Sequence, residues 1–269
     1  MIHAPLSVTS VLDEATDVVS VTAAPWAGVL VATALPYRFL QALFLDQLIE
    51  VGSDASQYGR LLGGTANLTV AAILLALWGR AVYARACRLG MGRGATPGRE
   101  VWRVPAAALA SYFLTSSILL VAGTLSVFTC LGVWVVAIVA GMAIGTMELN
   151  ERVSVLEPFR HIRRYARGAT LLGLSLVFFC AFFVALLNLA AAFGLGVWAL
   201  GAVGGFDAPR WELLFTPGNR RYLLMLVAGA IVAVEPFWVA AHVVFVRKAG
   251  AQERGDDLRA WFEELRRTA

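Results

Sequence analysis

Residues 104–147 read VPAAALASYFLTSSILLVAGTLSVFTCLGVWVVAIVAGMAIGTM, 44 residues between Arg103 and Glu148 without one charged side chain. A spanning helix takes about 20 apolar residues at 1.5 Å rise. The stretch therefore holds two spans, near residues 104–124 and 130–147, with residues 123–132 as the only plausible turn. A second charge-free run of 39 residues lies between Arg167 and Asp207. A water-soluble domain of this size needs neither. The expected fold class is all-α: a polytopic membrane helix bundle of six transmembrane helices with short amphipathic interfacial helices.

Composition agrees. With 59% hydrophobic residues, 15% charged residues and a mean hydropathy of +0.73, the chain departs from soluble averages in the direction of a membrane bundle. Its pI near 9.2 does not point to nucleic acid, because the arginines sit beside apolar segments and not on a separate basic domain. The single lysine, Lys248, among so many arginines reads as GC-rich bacterial coding. Cys87, Cys130 and Cys180 fall in or beside apolar segments without a C-x-x-C, and read as small hydrophobes.

Outward from the deciding stretch, four more apolar segments appear. Residues 26–45 are interrupted by Pro36-Tyr37-Arg38, residues 61–82 are clean apart from Asn67 and Arg80, and residues 222–246 are broken by Glu235-Pro236. The run from Gly168 would be about 58 Å long as one helix. It holds either one span with an interfacial extension or two spans. Loop charge decides between them. With six spans and a cytoplasmic amino terminus, Arg80 to Arg103 holds six Arg, Glu148 to Arg167 five, and the end from Arg247 six Arg or Lys. The opposite side holds four, Arg60, Arg210, Arg220 and Arg221. A seventh span would place the basic carboxyl end outside, against the positive-inside bias. The expected location is the bacterial inner (cytoplasmic) membrane, multi-pass, with both termini cytoplasmic.

Three segments follow: residues 1–25, an amphipathic amino-terminal interfacial segment; 26–248, the six-helix transmembrane domain; and 249–269, a cytoplasmic amphipathic carboxyl-terminal helix. In the first, Val8, Val11, Leu12, Ala15, Val18, Val19 and Thr22 recur at helical spacing, and Asp13, Glu14 and Asp17 argue against a cleavable signal peptide. In the last, Leu258, Trp261, Phe262 and Leu265 form an apolar stripe after Asp256 and Asp257. Between spans four and five, Glu157-Pro158 opens a helix whose one face carries Arg160, Arg163, Arg164 and Arg167, opposite Phe159, Ile162 and Tyr165. That basic face is a candidate site for anionic lipid headgroups, although topology alone also places arginines there. The acidic face at Asp13, Glu14 and Asp17 is an equal candidate partner.

Motif chemistry is sparse. The chain has no H-E-x-x-H, no G-x-S-x-G, no phosphate-binding P-loop and no G-x-G-x-x-G after a strand, so no catalytic residues, metal ligands or cofactor are assigned. His3, His161 and His242 are too dispersed for a metal site. Gly141-Met142-Ala143-Ile144-Gly145 has the small-x-x-x-small spacing of close helix packing. The exception is a pair of intramembrane charges, Arg38 and Glu235, each near mid-span and close to a proline, Pro36 or Pro236. A charge at that depth costs about 2.5–3.5 kcal/mol on insertion scales. The two either clamp the first helix to the last, or line a polar cavity with a ligand or ion path, unless the span boundaries lie elsewhere.

The amphipathic Ser10-Val11-Leu12-Asp13-Glu14-Ala15 start, six apolar spans, the Glu157-Pro158 arginine helix and the Arg247 to Arg259 element together resemble a bacterial family. It is the six-helix membrane domain associated with glycerophosphodiester phosphodiesterases and its stand-alone relatives. The resemblance implies a membrane domain without catalytic residues, since the phosphodiesterase is a separate soluble domain not found in these residues. The expected role is that of a non-enzymatic membrane scaffold or accessory component. The alternative is a small transporter or lipid-handling protein using midplane polar residues. Expected partners are the lipid bilayer, with anionic headgroups or a membrane-associated protein, and no nucleic acid.

Overall fold

The Ser7 hydroxyl accepts the backbone N–H of Ser10 at 3.2 Å and so caps the first helix, α1 (Val8–Thr22). Val11, Ala15, Val18 and Thr22 are buried along one side, following the expected stripe, while Asp13 and Asp17 are exposed. A widened π-helical turn, Ala23–Ala27, follows, where Pro25 supplies no backbone N–H. The computed structural model describes residues 6–51, 55–91, 97–126, 130–149, 153–165, 168–204, 216, 218–255 and 266.

Seven further α-helices are described: α2 (Gly28–Val51), α3 (Ala55–Gly90), α4 (Ala106–Ser126), α5 (Cys130–Thr146), α6 (Leu156–Tyr165), α7 (Gly168–Gly204) and α8 (Arg220–Arg254). No strand occurs among the described residues. Four stretches are long and apolar enough to cross a membrane: Pro25–Gln47, Leu68–Gly90, Gly168–Val203 and Arg220–Arg254. Helices α4 and α5, which correspond to the expected third and fourth spans, carry the apolar stretches Ala106–Leu119 and Val135–Leu149 among the described residues. Among the described residues the architecture is all-helical, with four stretches that qualify as membrane spans by length and composition.

Two sequence features resolve here. Of the 39-residue run, Gly168–Gly204 is one continuous helix, α7, rather than two. Pro36 and Pro236 lie inside α2 and α8 without ending them. In water an interior proline costs about 3 kcal/mol. In apolar surroundings, breaking the helix would strand several backbone groups where a proline strands one, so the helix continues. Helix α8 ends at Gly255, whose φ of 68° is a left-handed stop with its N–H on the Gln252 carbonyl at 3.3 Å. The expected carboxyl-terminal stripe, Leu258 to Leu265, lies outside the described residues.

The chain forms two compact units. The terminal unit comprises Met1–Ala27, Arg80–Leu176 and Phe237–Ala269. Its core consists of runs buried on every side: Met142, Ala143 and Ile144 of α5, Val239 to Val246 of α8, and Ala81 to Ala84 of α3. Helices apolar all round belong where no face meets water. The central unit comprises Gly28–Gly79 and Val177–Pro236, with Tyr37, Ala72 and Ala76 packed against Leu40 and Ile73. Its part of α7 exposes Leu187, Leu195, Trp198, Leu200 and Val203, the last at 90%. So continuous an apolar surface would aggregate in water and is ordinary against acyl chains.

Candidate functional site

In the central unit one carboxylate is gripped by two arginines. Asp46, near the end of α2 and 3% exposed, accepts from Arg220 Nε on Oδ1 and from Arg221 Nε on Oδ2, each at 2.6 Å. The Asn219 side chain caps α8, accepting the N–H of Arg221 at 3.1 Å. Cations in the first turn oppose the helix dipole. Their placement makes sense once Asp46 faces them. Sequence reasoning missed this site because Asp46 stands at the end of an apolar segment and reads as a boundary residue. The unfavourable Arg220-Arg221 pair behind an N-cap asparagine was the available signal.

The predicted midplane residues belong to the same unit. Arg38 is half-buried on α2, donating from Nη1 to Gln41 Oε1 at 2.9 Å, with its guanidinium 5.1 Å from the Tyr37 ring centroid. Glu235 is buried on α8, 3% exposed.

In the terminal unit a second carboxylate meets two arginines. Glu148 contacts Arg85 at 2.9 Å and Arg88 at 3.4 Å. The same arginines reach backbone carbonyls: Arg88 Nη2 donates to Gly145 at 2.6 Å, and Arg85 Nε to Glu100 at 3.1 Å. The Gly145 carbonyl lies in the last turn of α5, where acceptors are left over, and the Glu100 carbonyl also accepts the Arg103 N–H. Lys248 Nζ donates to the Ser10 carbonyl at 2.6 Å and hydroxyl at 2.7 Å, and meets Glu14 at 3.0 Å, with Arg247 3.6 Å from Glu14. Thr170 Oγ1 donates to the Leu6 carbonyl at 2.7 Å. Helix α1 is thereby stitched to α7 and α8. The acidic face at Glu14 is matched to the carboxyl-terminal end of α8.

Helix α6 presents the expected basic face. Arg160, Arg163 and Arg164 are exposed, and Tyr165 on the other side is buried with its ring 3.6 Å from where a Cβ on Gly250 would stand. Arg167 lies outside the described residues. Arg164 Nε donates to Glu253 Oε1 at 2.6 Å, and that carboxylate raises the arginine's pKa above its ordinary value. A further basic element was not foreseen: the 3-10 turn Arg99–Trp102, with Arg99 and Arg103 exposed. Trp102 is 45% exposed, and its ring meets Trp26 edge-on at 5.2 Å.

His242 is 1% exposed, its Nδ1 2.8 Å from the Trp238 carbonyl. It fills the space beside Gly141, and its own carbonyl faces Gly145, so the small-x-x-x-small pattern is the seat of α8 on α5. Among the described residues no three His, Cys, Asp or Glu side chains stand together as a metal group, and Cys87 and Cys180 are free thiols. Comparison of the chain with protein-family models, curated proteins and solved structures finds no match.

Proposed function

We propose that this protein is a six-span bacterial inner-membrane protein with both termini in the cytoplasm, acting as a non-enzymatic scaffold or accessory component. One observation carries the reading. The buried or half-buried carboxylates Asp46 and Glu148 are each engaged by two arginines, so charge inside the bundle is spent on holding helices together. A clamp of this kind leaves a broad apolar exterior for the bilayer. The six-span count draws on loop charge and on the charge-free residues 104–147 that contain α4 and α5. Its partners in this reading are the bilayer and either anionic headgroups or a membrane-associated protein on Arg160, Arg163, Arg164 and Arg167. The likeness to the six-helix domain associated with glycerophosphodiester phosphodiesterases belongs to the same proposal.

A second reading, a small transporter or lipid-handling protein, is favoured by Glu235, a carboxylate buried within a candidate span next to Pro236. The two separate on solvent access. In a background lacking the native cysteines, Glu235→Cys and Ala233→Cys are exposed to small water-soluble thiol reagents in membranes. The scaffold reading expects neither to react. Reaction at 235 from the aqueous phase would replace it with the transporter.

A further inference from the structure

Four exposed arginines lie around one end of α4. Helix α4 begins at Ala106, three residues after Arg103, and its Ser111 hydroxyl accepts the N–H of Ser154 at 3.1 Å, just ahead of α6. Helix α6 packs on both α4 and α5. The turn bearing Arg99 and Arg103 and the helix bearing Arg160 and Arg163 are thus attached to the same two turns of α4. The turn is held firmly. Arg103 N–H donates to the Glu100 carbonyl at 3.2 Å, Arg85 Nε to that carbonyl at 3.1 Å, and Trp26 Nε1 to the Pro97 carbonyl at 3.1 Å beneath Trp102.

We infer that this end of the terminal unit, with Arg99, Arg103, Arg160 and Arg163, is a docking surface for the phosphates of anionic phospholipids, anchored by Trp102 at headgroup depth. Charge complementarity and position carry it. Four arginines against Glu100 leave an excess of three positive charges among these described residues, while Arg164 and Glu253 neutralise each other. The turn immediately precedes apolar α4, and α6 sits between apolar α5 and the candidate span α7, so in the six-span arrangement both elements lie where a spanning helix leaves the hydrocarbon. Tryptophan and arginine are the residues that settle at that depth. The inference rests on the α6 headgroup face proposed above and adds a second, rigid element to it.

The test titrates the full-length purified protein in detergent with phosphatidylglycerol and with phosphatidylcholine, counting bound lipids by native mass spectrometry. Two arginines at about one basic residue's surface attraction each correspond to about thirty-fold weaker phosphatidylglycerol binding in R99Q/R103Q, with phosphatidylcholine unaffected. R99K/R103K retains most of the affinity, since charge and not the guanidinium fork is used. R160Q/R163Q reports separately on the α6 face, so the failure of one element is distinguishable from failure of the other. Inorganic phosphate at matching concentration leaves the lipid in place. Wild-type lipid affinity in R99Q/R103Q overturns the inference. So does displacement of phosphatidylglycerol by a polyglutamate peptide that binds more tightly, which would make the surface a protein site.

Discussion

Alanine at Gly145 should destabilise the protein although alanine is the better helix former. A Cβ there would stand 2.7 Å from the His242 carbonyl oxygen and 2.9 Å from Val246 Cγ2. Comfortable contacts begin at about 3.5 Å. The nearest obstacle is helix backbone, which cannot rotate away, so α5 and α8 must part by several tenths of an ångström. Overpacking of this kind costs about 1–3 kcal/mol, against a propensity gain of about 0.8–1 kcal/mol for replacing glycine. The net loss is up to about 2 kcal/mol, a few degrees in Tm at this chain length. Gly141 differs: the atoms in its way belong to the His242 imidazole. His242→Ala should therefore offset Gly141→Ala with a coupling of about 1 kcal/mol or more, and show almost none with Gly145→Ala, because the carbonyl stays. Thermal unfolding of the three single and two double variants in detergent, beside wild type, measures both couplings. Stabilisation by Gly145→Ala, or equal couplings at the two glycines, would refute the reasoning.

Asp46→Asn should lower the melting temperature more than Arg220→Gln or Arg221→Gln alone, because it strips two guanidiniums of one acceptor; equal losses in all three would contradict the clamp. If Arg38 and Glu235 are partners, Glu235→Ala should harm folding more than Arg38→Ala, since a stranded glutamate can become neutral by taking up a proton and a stranded arginine cannot become neutral by losing one. The double neutral variant should then recover much of the loss, whereas additive effects in a thermal assay would discard the pair. Lys248→Met should loosen α1 by about 0.5–1 kcal/mol, the worth of a partly exposed ion pair with its hydrogen bonds. Faster hydrogen exchange across Val8–Thr22 is the readout, and unchanged exchange would show that apolar burial alone holds α1.

Helix type and membrane character were legible because hydropathy is additive along the chain: any long charge-free run must be buried in protein or lipid. The α1 stripe and the Gly141/Gly145 contact were legible for a related reason, since both depend on helical spacing alone. The Asp46 clamp was not, because it joins residues 174 positions apart and depends on which helices become neighbours. Nor was the role of Lys248, whose acceptors on Ser10 lie 238 positions away. The two prolines did not hide their spans, because the apolar runs on either side of Pro36 and Pro236 are each too short to cross alone, and α2 and α8 run through them. The 3-10 turn at Arg99 escaped because four residues carry too little periodicity to mark an element.

The six-span arrangement with cytoplasmic ends is tested most directly by side-specific labelling. Single cysteines at Ser53, Gly94, Asn219 and Thr268, each in a background without Cys87, Cys130 and Cys180, are treated with an impermeant thiol reagent on intact cells and on inverted vesicles. The account predicts labelling of positions 53 and 219 from outside, and of 94 and 268 only from the cytoplasmic side. Labelling of position 268 on intact cells, or of 94 and 219 from the same side, would contradict it.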